Sequence, residues 1–221
     1  MTLSRLVPLV CALSLAATLS ACDDDATSPT RQTQVRFINA MSNSTSLTLS
    51  INNVPLGGAQ VYQHFTNCQS VNPGTFTLTV SQAGTTLLTT TQTLDSLGKY
   101  SLIATGTTGA PTFIFVSDAF VYPESGRALM RFVNAFSGRP SVDAFVTPDG
   151  SNLGASVASN ILVGTASAYA NIPNDRSRVD FAPNGSTSTF AGQGPFDIPN
   201  RSAQTTIGVG SNTTFRVPAC Y

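Results

Sequence analysis

The chain has 221 residues, with 11 Lys or Arg, 11 Asp or Glu and a single His, so its formal net charge is zero. Charged residues make up 10% of the sequence, against roughly 25% in an average soluble protein, and Ser, Thr, Asn and Gly replace them. This composition argues against a basic nucleic-acid groove or a polybasic membrane patch, and it restricts any His-dependent chemistry to one residue.

The N-terminal segment, residues 1–21, is typical of a secretory leader. Arg5 supplies its positive charge, and a mostly apolar run too short for a comfortable membrane span follows. Residues 19–22, Leu-Ser-Ala-Cys, resemble the bacterial lipobox read by lipoprotein signal peptidase. The resemblance implies cleavage before Cys22 and attachment to the membrane through a lipid on Cys22. The alternative is a plain signal peptide with an incidental cysteine.

Residues 22–33 predict a flexible acidic tether. They are polar and lack apolar periodicity, and Asp23-Asp24-Asp25 favours a solvated spacer over a Ca²⁺ cage. An aspartate after the lipid cysteine is similar to an inner-membrane retention signal in some bacteria. An acidic run there is similar to a surface-export signal in others. We expect a lipid-anchored protein of the bacterial cell envelope, at the outer membrane or cell surface rather than the inner membrane.

The rest of the chain contains two copies of one pattern. Val35–Ala40 (VRFINA) returns as Met130–Ala135 (MRFVNA), and later strands also find counterparts. Each copy consists of short alternating segments separated by Gly, Pro, Asn and Ser clusters. The pattern predicts an all-β protein of two tandem antiparallel β-sandwich modules of immunoglobulin or transthyretin type. They span 34–120 and 128–221, joined by a linker at 121–127.

The alternation also predicts which side chains face each core. The first core would contain Phe37, Leu47, Leu49, Ile51, Phe76, Leu78, Val80, Leu102, Ala104, Phe113 and Phe115. The second would contain Phe132, Val142, Ala144, Val146, Val179, Phe181, Ile207, Val209, Phe215 and Val217.

Four segments carry a family resemblance: VRFINA at 35–40, NNVPL at 52–56, VNPGTFTLTV at 71–80 and YSLIATG at 100–106. They resemble a bacterial domain-of-unknown-function family of tandem β-sandwich modules in secreted proteins and lipoproteins. The resemblance covers Gln34–Asp118 and is looser in the second copy. It implies a fold and a location, and it brings no catalytic residues.

Two cysteines remain after the leader and the anchor are set aside. Cys11 leaves with the leader and Cys22 is assigned to the lipid, which leaves Cys68 and Cys220. An envelope location permits disulfides. We predict a bond that joins the C-terminal end to the first module across about 150 residues. Two unpaired thiols are the alternative.

The sequence predicts no catalytic residue, metal site or cofactor. His64 has no nucleophile motif nearby, and the acids beyond the tether are scattered singly. Arg36 and Arg131 occupy equal repeat positions, as do Asn39 and Asn134. We read them as an outward strand Arg and an Asn that turns the chain, with a ligand-binding pair as the alternative.

These observations predict a non-enzymatic envelope lipoprotein that acts as a binding or spacer module. Its partner would be an unknown envelope protein or polysaccharide, not a nucleic acid. The loops at Asn52 and Asn53, and at Pro148 and Asp149, are the expected contact surfaces.

The main alternative is a carbohydrate- or polymer-binding module of an envelope assembly. The chain has no Trp, so exposed tyrosines would have to stack on the sugar; the candidates are Tyr62, Tyr122 and Tyr169. A hydrolase with an unrecognised site, using His64 or an Asp, is a third hypothesis.

Overall fold

The computed structural model describes residues 31–221, and this part of the chain is all-β, as predicted. The first module contains β1 (Thr33–Asn39), β2 (Ser46–Ile51), β3 (Val54–Pro55), β4 (Gln60–Val61), β5 (Gln69–Val71), β6 (Gly74–Gln82), β7 (Thr85–Leu94), β8 (Lys99–Thr107) and β9 (Ala110–Ser117). The second contains β10 (Arg127–Phe136), β11 (Ser141–Pro148), β12 (Ala158–Leu162), β13 (Thr165–Ala166), β14 (Ala170–Pro173), β15 (Arg176–Pro183), β16 (Ala191–Asp197), β17 (Ala203–Gly210) and β18 (Thr213–Pro218). Within residues 31–221 there is no helix that could span a membrane.

The predicted leader, the lipidation site Cys22 and most of the tether lie outside the described residues. They therefore stay predictions from the sequence.

Each module is a sandwich of two sheets. In the first module the outer sheet has the order β3-β2-β6-β7, with β4 also on β2, and the inner sheet has the order β5-β1-β8-β9. In the second the outer sheet is β12-β11-β15-β16 and the inner sheet is β13-β10-β17-β18, with β14 also on β10. All pairs are antiparallel except β1–β8 and β10–β17, which are parallel. The repeat thus gives both inner sheets the same mixed topology.

The repeated asparagines lie at the C-terminal end of the first strand of each module: Asn39 is the last residue of β1, and Asn134 lies two residues before the end of β10. The Asn39 amide donates to the Gln60 carbonyl at 2.9 Å and accepts from the Met41 N–H at 3.0 Å. Asn134 makes the same pair of bonds, to the carbonyl of Ile161 and from the N–H of Phe136. Because both side chains are buried and satisfy backbone groups, their structural interpretation is confirmed.

The predicted core of the first module is confirmed at every position. All the named side chains lie in one buried cluster or pack against it. In the second module Phe132, Val142, Ala144, Val146, Val179 and Phe181 also lie in or against the core. Ile207, Val209, Phe215 and Val217 do not, so that part of the prediction is wrong.

The prediction is wrong because the alternate residues of β17 face the module core, while Ile207 and Val209 face the other way. The core-facing positions of β17 are Thr206 and Gly208, since Thr206 pairs with the core residue Phe132. Thr206 donates to the Met130 sulfur at 3.6 Å. A Cβ on Gly208 would lie 2.1 Å from the Phe136 ring. Phe136 therefore fills the space that a larger residue on β17 would need.

The two inner sheets pack against each other and form a third core, which we call the junction. Its fully or nearly buried members are Ile38, Ala40, Ile103, Ile114, Val133, Ala135, Ile207, Val209, Phe215 and Val217. The molecule is consequently a stack of four sheets, with both inner sheets covered on both faces.

Candidate functional site at the module junction

A buried ion cluster lies within the junction. Arg36 on β1 and Arg131 on β10 both point away from their own sandwiches, and both meet Asp118, which follows β9. The Arg131 Nη2 to Asp118 Oδ1 distance is 2.5 Å, and the Arg36 Nη2 to Asp118 Oδ2 distance is 3.6 Å. The Asp118 side chain is 0% exposed, and the arginines are 2% and 4% exposed. The two arginines are thus outward-facing as predicted, but the opposite module covers them.

The two arginines differ in how well they are satisfied. Arg131 donates to the Thr205 hydroxyl at 2.9 Å and to the Ser117 carbonyl at 2.6 Å, and it stacks 4.7 Å from the Tyr169 ring. The Arg36 Nε has no partner within the described residues. Burial lowers the pKa of Arg36, and the charge of Asp118 opposes this effect.

The cluster holds two cations and one anion because the repeat is broken at the carboxylate. The Asp118 N–H donates to the Lys99 carbonyl, and the Ala219 N–H donates to the Ala203 carbonyl, so these positions are equivalent. Ala219 therefore stands where a second carboxylate would be. Asp118 serves both arginines and also accepts from the Ser101 hydroxyl at 2.7 Å.

The predicted disulfide is confirmed and lies beside this cluster. Cys68 and Cys220 are bonded, with their Cα atoms 5.9 Å apart and a sequence separation of 152. Arg36 Nη2 approaches the Cys220 sulfur at 3.4 Å. The bond links the segment before β5 to the end of the second module, so covalent and ionic contacts converge at one end of the junction.

An aromatic cluster surrounds the linker next to the ion cluster. The Phe120 ring lies 5.1 Å from Tyr122, 6.0 Å from Tyr169 and 5.9 Å from Tyr221. Tyr122 and Tyr221 are near-parallel, 6.4 Å apart, and each is more than half exposed. Of the tyrosines considered for sugar stacking, Tyr62 instead packs on the junction core and Tyr169 covers Arg131.

The remaining predicted site residues lie apart from the junction. Asn52 and Asn53 form the exposed two-residue turn between β2 and β3, with φ of 47° and 66°. Pro148 ends β11, and Asp149 pairs with Arg176 at the surface. These loops belong to the outer sheets of different modules, and the two inner sheets lie between those sheets. The structure does not bring them together.

The match to a known family covers just over half of the chain. A family model described as a domain of unknown function, DUF4397, matches residues 33–145. The chain belongs to this family. The matched region contains the first module, the linker, all of β10 and most of β11, so it includes Arg36, Asp118 and Arg131.

Similarity to other proteins is weak. No curated protein is significantly similar in sequence. Among solved structures, one similar chain is the family CBM26 carbohydrate-binding module of Eubacterium rectale Amy13K in complex with maltoheptaose. The two chains are 10% identical, the alignment covers 84% of this chain and 96% of the other, and the TM-score is 0.27. Another, described as alpha-glucan binding by a streptococcal virulence factor, is 9% identical over 81% of this chain and 93% of its own, with a TM-score of 0.24. Similarity at this level indicates neither a shared fold nor a shared ligand.

The polar groups at the junction are paired with one another. The Asp118 carboxylate is occupied by two guanidinium groups and a hydroxyl, and both cysteines are in a disulfide. His64 is exposed, in the segment between β4 and β5. Within residues 31–221, no group of three or more His, Cys, Asp or Glu side chains converges as a metal site would require.

Sequence reasoning missed Asp118 because it was one of several scattered acids. A signal was present, however. The second repeat offers no acid at the position that corresponds to Asp118, while both repeats keep the arginine. One acid, Asp118, beside two repeated arginines, Arg36 and Arg131, is the pattern expected when a single carboxylate pairs with the arginines of both copies.

Tyr169 gives the junction a predicted pH dependence. Burial raises its pKa, and the charge of Arg131 opposes that effect. In an unfolded chain the pKa of tyrosine is about 10. The unfolded chain therefore loses this proton first as pH rises, and stability falls as the pH climbs through the folded pKa. We expect Tyr169→Phe to weaken the fall in unfolding free energy between about pH 9 and 11, measured by urea titration. Tyr122→Phe, at an exposed site, should leave that fall unchanged; equal effects of both would contradict the assignment.

Proposed function

We propose that this protein is a non-enzymatic, lipid-anchored protein of the bacterial cell envelope, whose two modules form one rigid binding or spacer body. The main observation in support of a rigid body is the junction, where an apolar core, a buried ion cluster and a disulfide occur together. Module interfaces held only by polar contacts permit relative motion, whereas a large apolar interface does not.

The lipobox-like residues 19–22 support the anchor, which would hold the rigid body at the membrane. Because β1 begins at Thr33, the predicted tether would comprise residues 22–32. If it is the flexible polar chain that the sequence predicts, it would extend roughly 20 Å on average. The four-sheet stack would then stand at a short, variable distance from the membrane while its own surfaces keep a fixed arrangement. Such a body suits presentation of a contact surface or spacing between envelope components.

The anchor is tested by metabolic labelling with an alkyne fatty acid. We expect the wild-type protein to take up the label and to fractionate with membranes. Cys22→Ser should lose both properties, because one acylated residue carries the attachment. Cys11→Ser, in the leader, is the matched control and should keep the label. Label on Cys22→Ser would overturn the anchor, and protease treatment of intact cells separates surface from inner-membrane placement.

A carbohydrate-binding role is the second candidate, and the exposed aromatic cluster supports it. Tyr122 and Tyr221 present near-parallel rings to solvent, beside the edge of Phe120. Amphipathic rings of this kind offer an apolar face together with a hydroxyl.

A glycan array tests this second role. If the cluster binds sugars, Tyr122→Ala should reduce the array signal at least about tenfold, a loss of roughly 1.4 kcal/mol. Leu97→Ala removes an equally exposed apolar side chain elsewhere and should change nothing. No binding by the wild type, or equal loss in both variants, would contradict the role.

A further inference from the structure

A cleft of about 440 Å³ opens where the junction meets the C-terminal ends of β8 and β10. Its lining includes Ala135 and Phe136, which are nearly buried, and Val163, which is exposed. Residues from both modules line it, so the cleft exists only while the modules are packed together. It lies at the other end of the strands from the ion cluster.

The repeat explains why this cleft is open. Gln63 and Gly164 are equivalent, because each donates its N–H to the carbonyl of the repeated asparagine, Asn39 or Asn134. Their φ values are also alike, 65° and 76°. Tyr62 is therefore the counterpart of Val163.

Tyr62 occupies the space that corresponds to the cleft. Its hydroxyl lies 3.2 Å from the Cβ position of Gly210, and its ring packs on the junction core. Gly210 is the counterpart of Gly106, which lines the cleft, as the strand registers show. One half of the pseudo-symmetric junction is thus filled by a tyrosine, and the other half has a valine and an opening.

The lining of the cleft indicates the chemistry of an occupant. No charged residue of the described range 31–221 lines it. Arg139, which follows the lining residue Gly138 in sequence, stacks its guanidinium 4.0 Å from the Phe190 ring. Thr105, Thr112 and Ser137, which carry hydroxyl groups, are among the lining residues. A charged ligand would lose hydration here without gaining a partner. The volume falls within the range of small-molecule sites.

We propose that this cleft binds a neutral small molecule with an apolar ring or body and one or more hydroxyl groups. The apolar body takes the space that Tyr62 fills in the other half. The hydroxyl takes the place of the tyrosine hydroxyl, beside Gly106, the counterpart of Gly210. This inference deepens the binding role proposed above and rests on the packed junction, not on the lipid anchor or the aromatic cluster.

The test is titration of the purified, ¹⁵N-labelled protein with 2-naphthol and, separately, with 2-naphthoate. The two probes share a ring system, and near neutral pH only the second is charged. We expect 2-naphthol to shift the amide resonances of Thr105, Ser137 and Gly164 saturably, and naphthoate to bind at least about tenfold more weakly. Absence of saturable shifts at these residues, or equal affinity for both probes, would overturn the proposal.

Two variants use the repeat as its own control. Val163→Tyr should fill the cleft as Tyr62 fills its counterpart and reduce 2-naphthol affinity at least about tenfold. The reciprocal Tyr62→Val should open the second space and add saturable shifts at Gly210, which keeps a readout even where the first variant folds poorly. Leu97→Tyr, at a distant exposed site, should bind as the wild type does. Unchanged binding by Val163→Tyr, or no new shifts in Tyr62→Val, would contradict the assignment. Loss of lipid labelling or of glycan binding would leave these results unaffected.

Discussion

Replacing Asp118 by Asn is expected to destabilise the protein by about 3–5 kcal/mol, the usual cost of removing one partner from a buried ion pair. The substitution is nearly isosteric, so it removes the negative charge and leaves the volume almost unchanged. Arg36 and Arg131 would then remain buried, and no other carboxylate of residues 31–221 forms an ion pair with them. Since whole domains are stable by only about 5–15 kcal/mol, this loss is a large share of the total.

Urea denaturation of purified protein measures the effect, and the chain supplies a matched control. Asp149 pairs with Arg176 at 3.1 Å, but these side chains are 48% and 52% exposed. Asp149→Asn should therefore cost less than about 1 kcal/mol. Similar costs for the two variants would show that the junction does not exclude water from its ion cluster.

Removing the Cys68–Cys220 disulfide is expected to have an effect of similar size. The bond closes a loop of 152 residues, which corresponds to ~5 kcal/mol of unfolded-state entropy, and native disulfides measured by mutation usually contribute about 2–5 kcal/mol. The Cys68→Ala, Cys220→Ala double variant should lose this amount in urea denaturation. Alanine is chosen because Cys220 is fully buried beside Arg36.

Two controls separate the disulfide from other cysteine effects. Reduction of the wild type should lower its stability to that of the double variant and raise its intact mass by two hydrogens. Cys22→Ser should leave the unfolding free energy unchanged, because the described fold begins beyond that residue. A loss below about 1 kcal/mol in the double variant would remove the disulfide from the account of the junction.

The sheets and the first core were predictable because alternation reports which side chains share a face. Phe37, Leu102 and their neighbours occupy one face of their strands and reach the core as expected. Alternation does not report what covers the other face. Leu102, Ile103 and Ala104 are successive apolar residues on β8, a pattern typical of a sheet buried on both sides. This run was the sequence's indication that another layer lies outside the first sandwich.

The junction itself could not be derived from spacing. Ile207 and Val209 are the apolar residues of the alternating pattern in β17, so the pattern assigns them to the core of their own module. The residues that face that core are instead the small Thr206 and Gly208, beside Phe136. The pairing of Cys68 with Cys220 was predictable because few cysteines remained. The meeting of Arg36 with Asp118 was not, because it depends on how the two modules face each other.

Residual dipolar couplings test most directly whether the two modules form one rigid body. Backbone N–H couplings would be measured for weakly aligned protein and fitted separately for strands of each module. The proposed junction predicts one alignment tensor, equal in orientation and magnitude for β1–β9 and β10–β18. Two distinct tensors would show that the modules reorient independently and would contradict the rigid body from which the proposed function is argued.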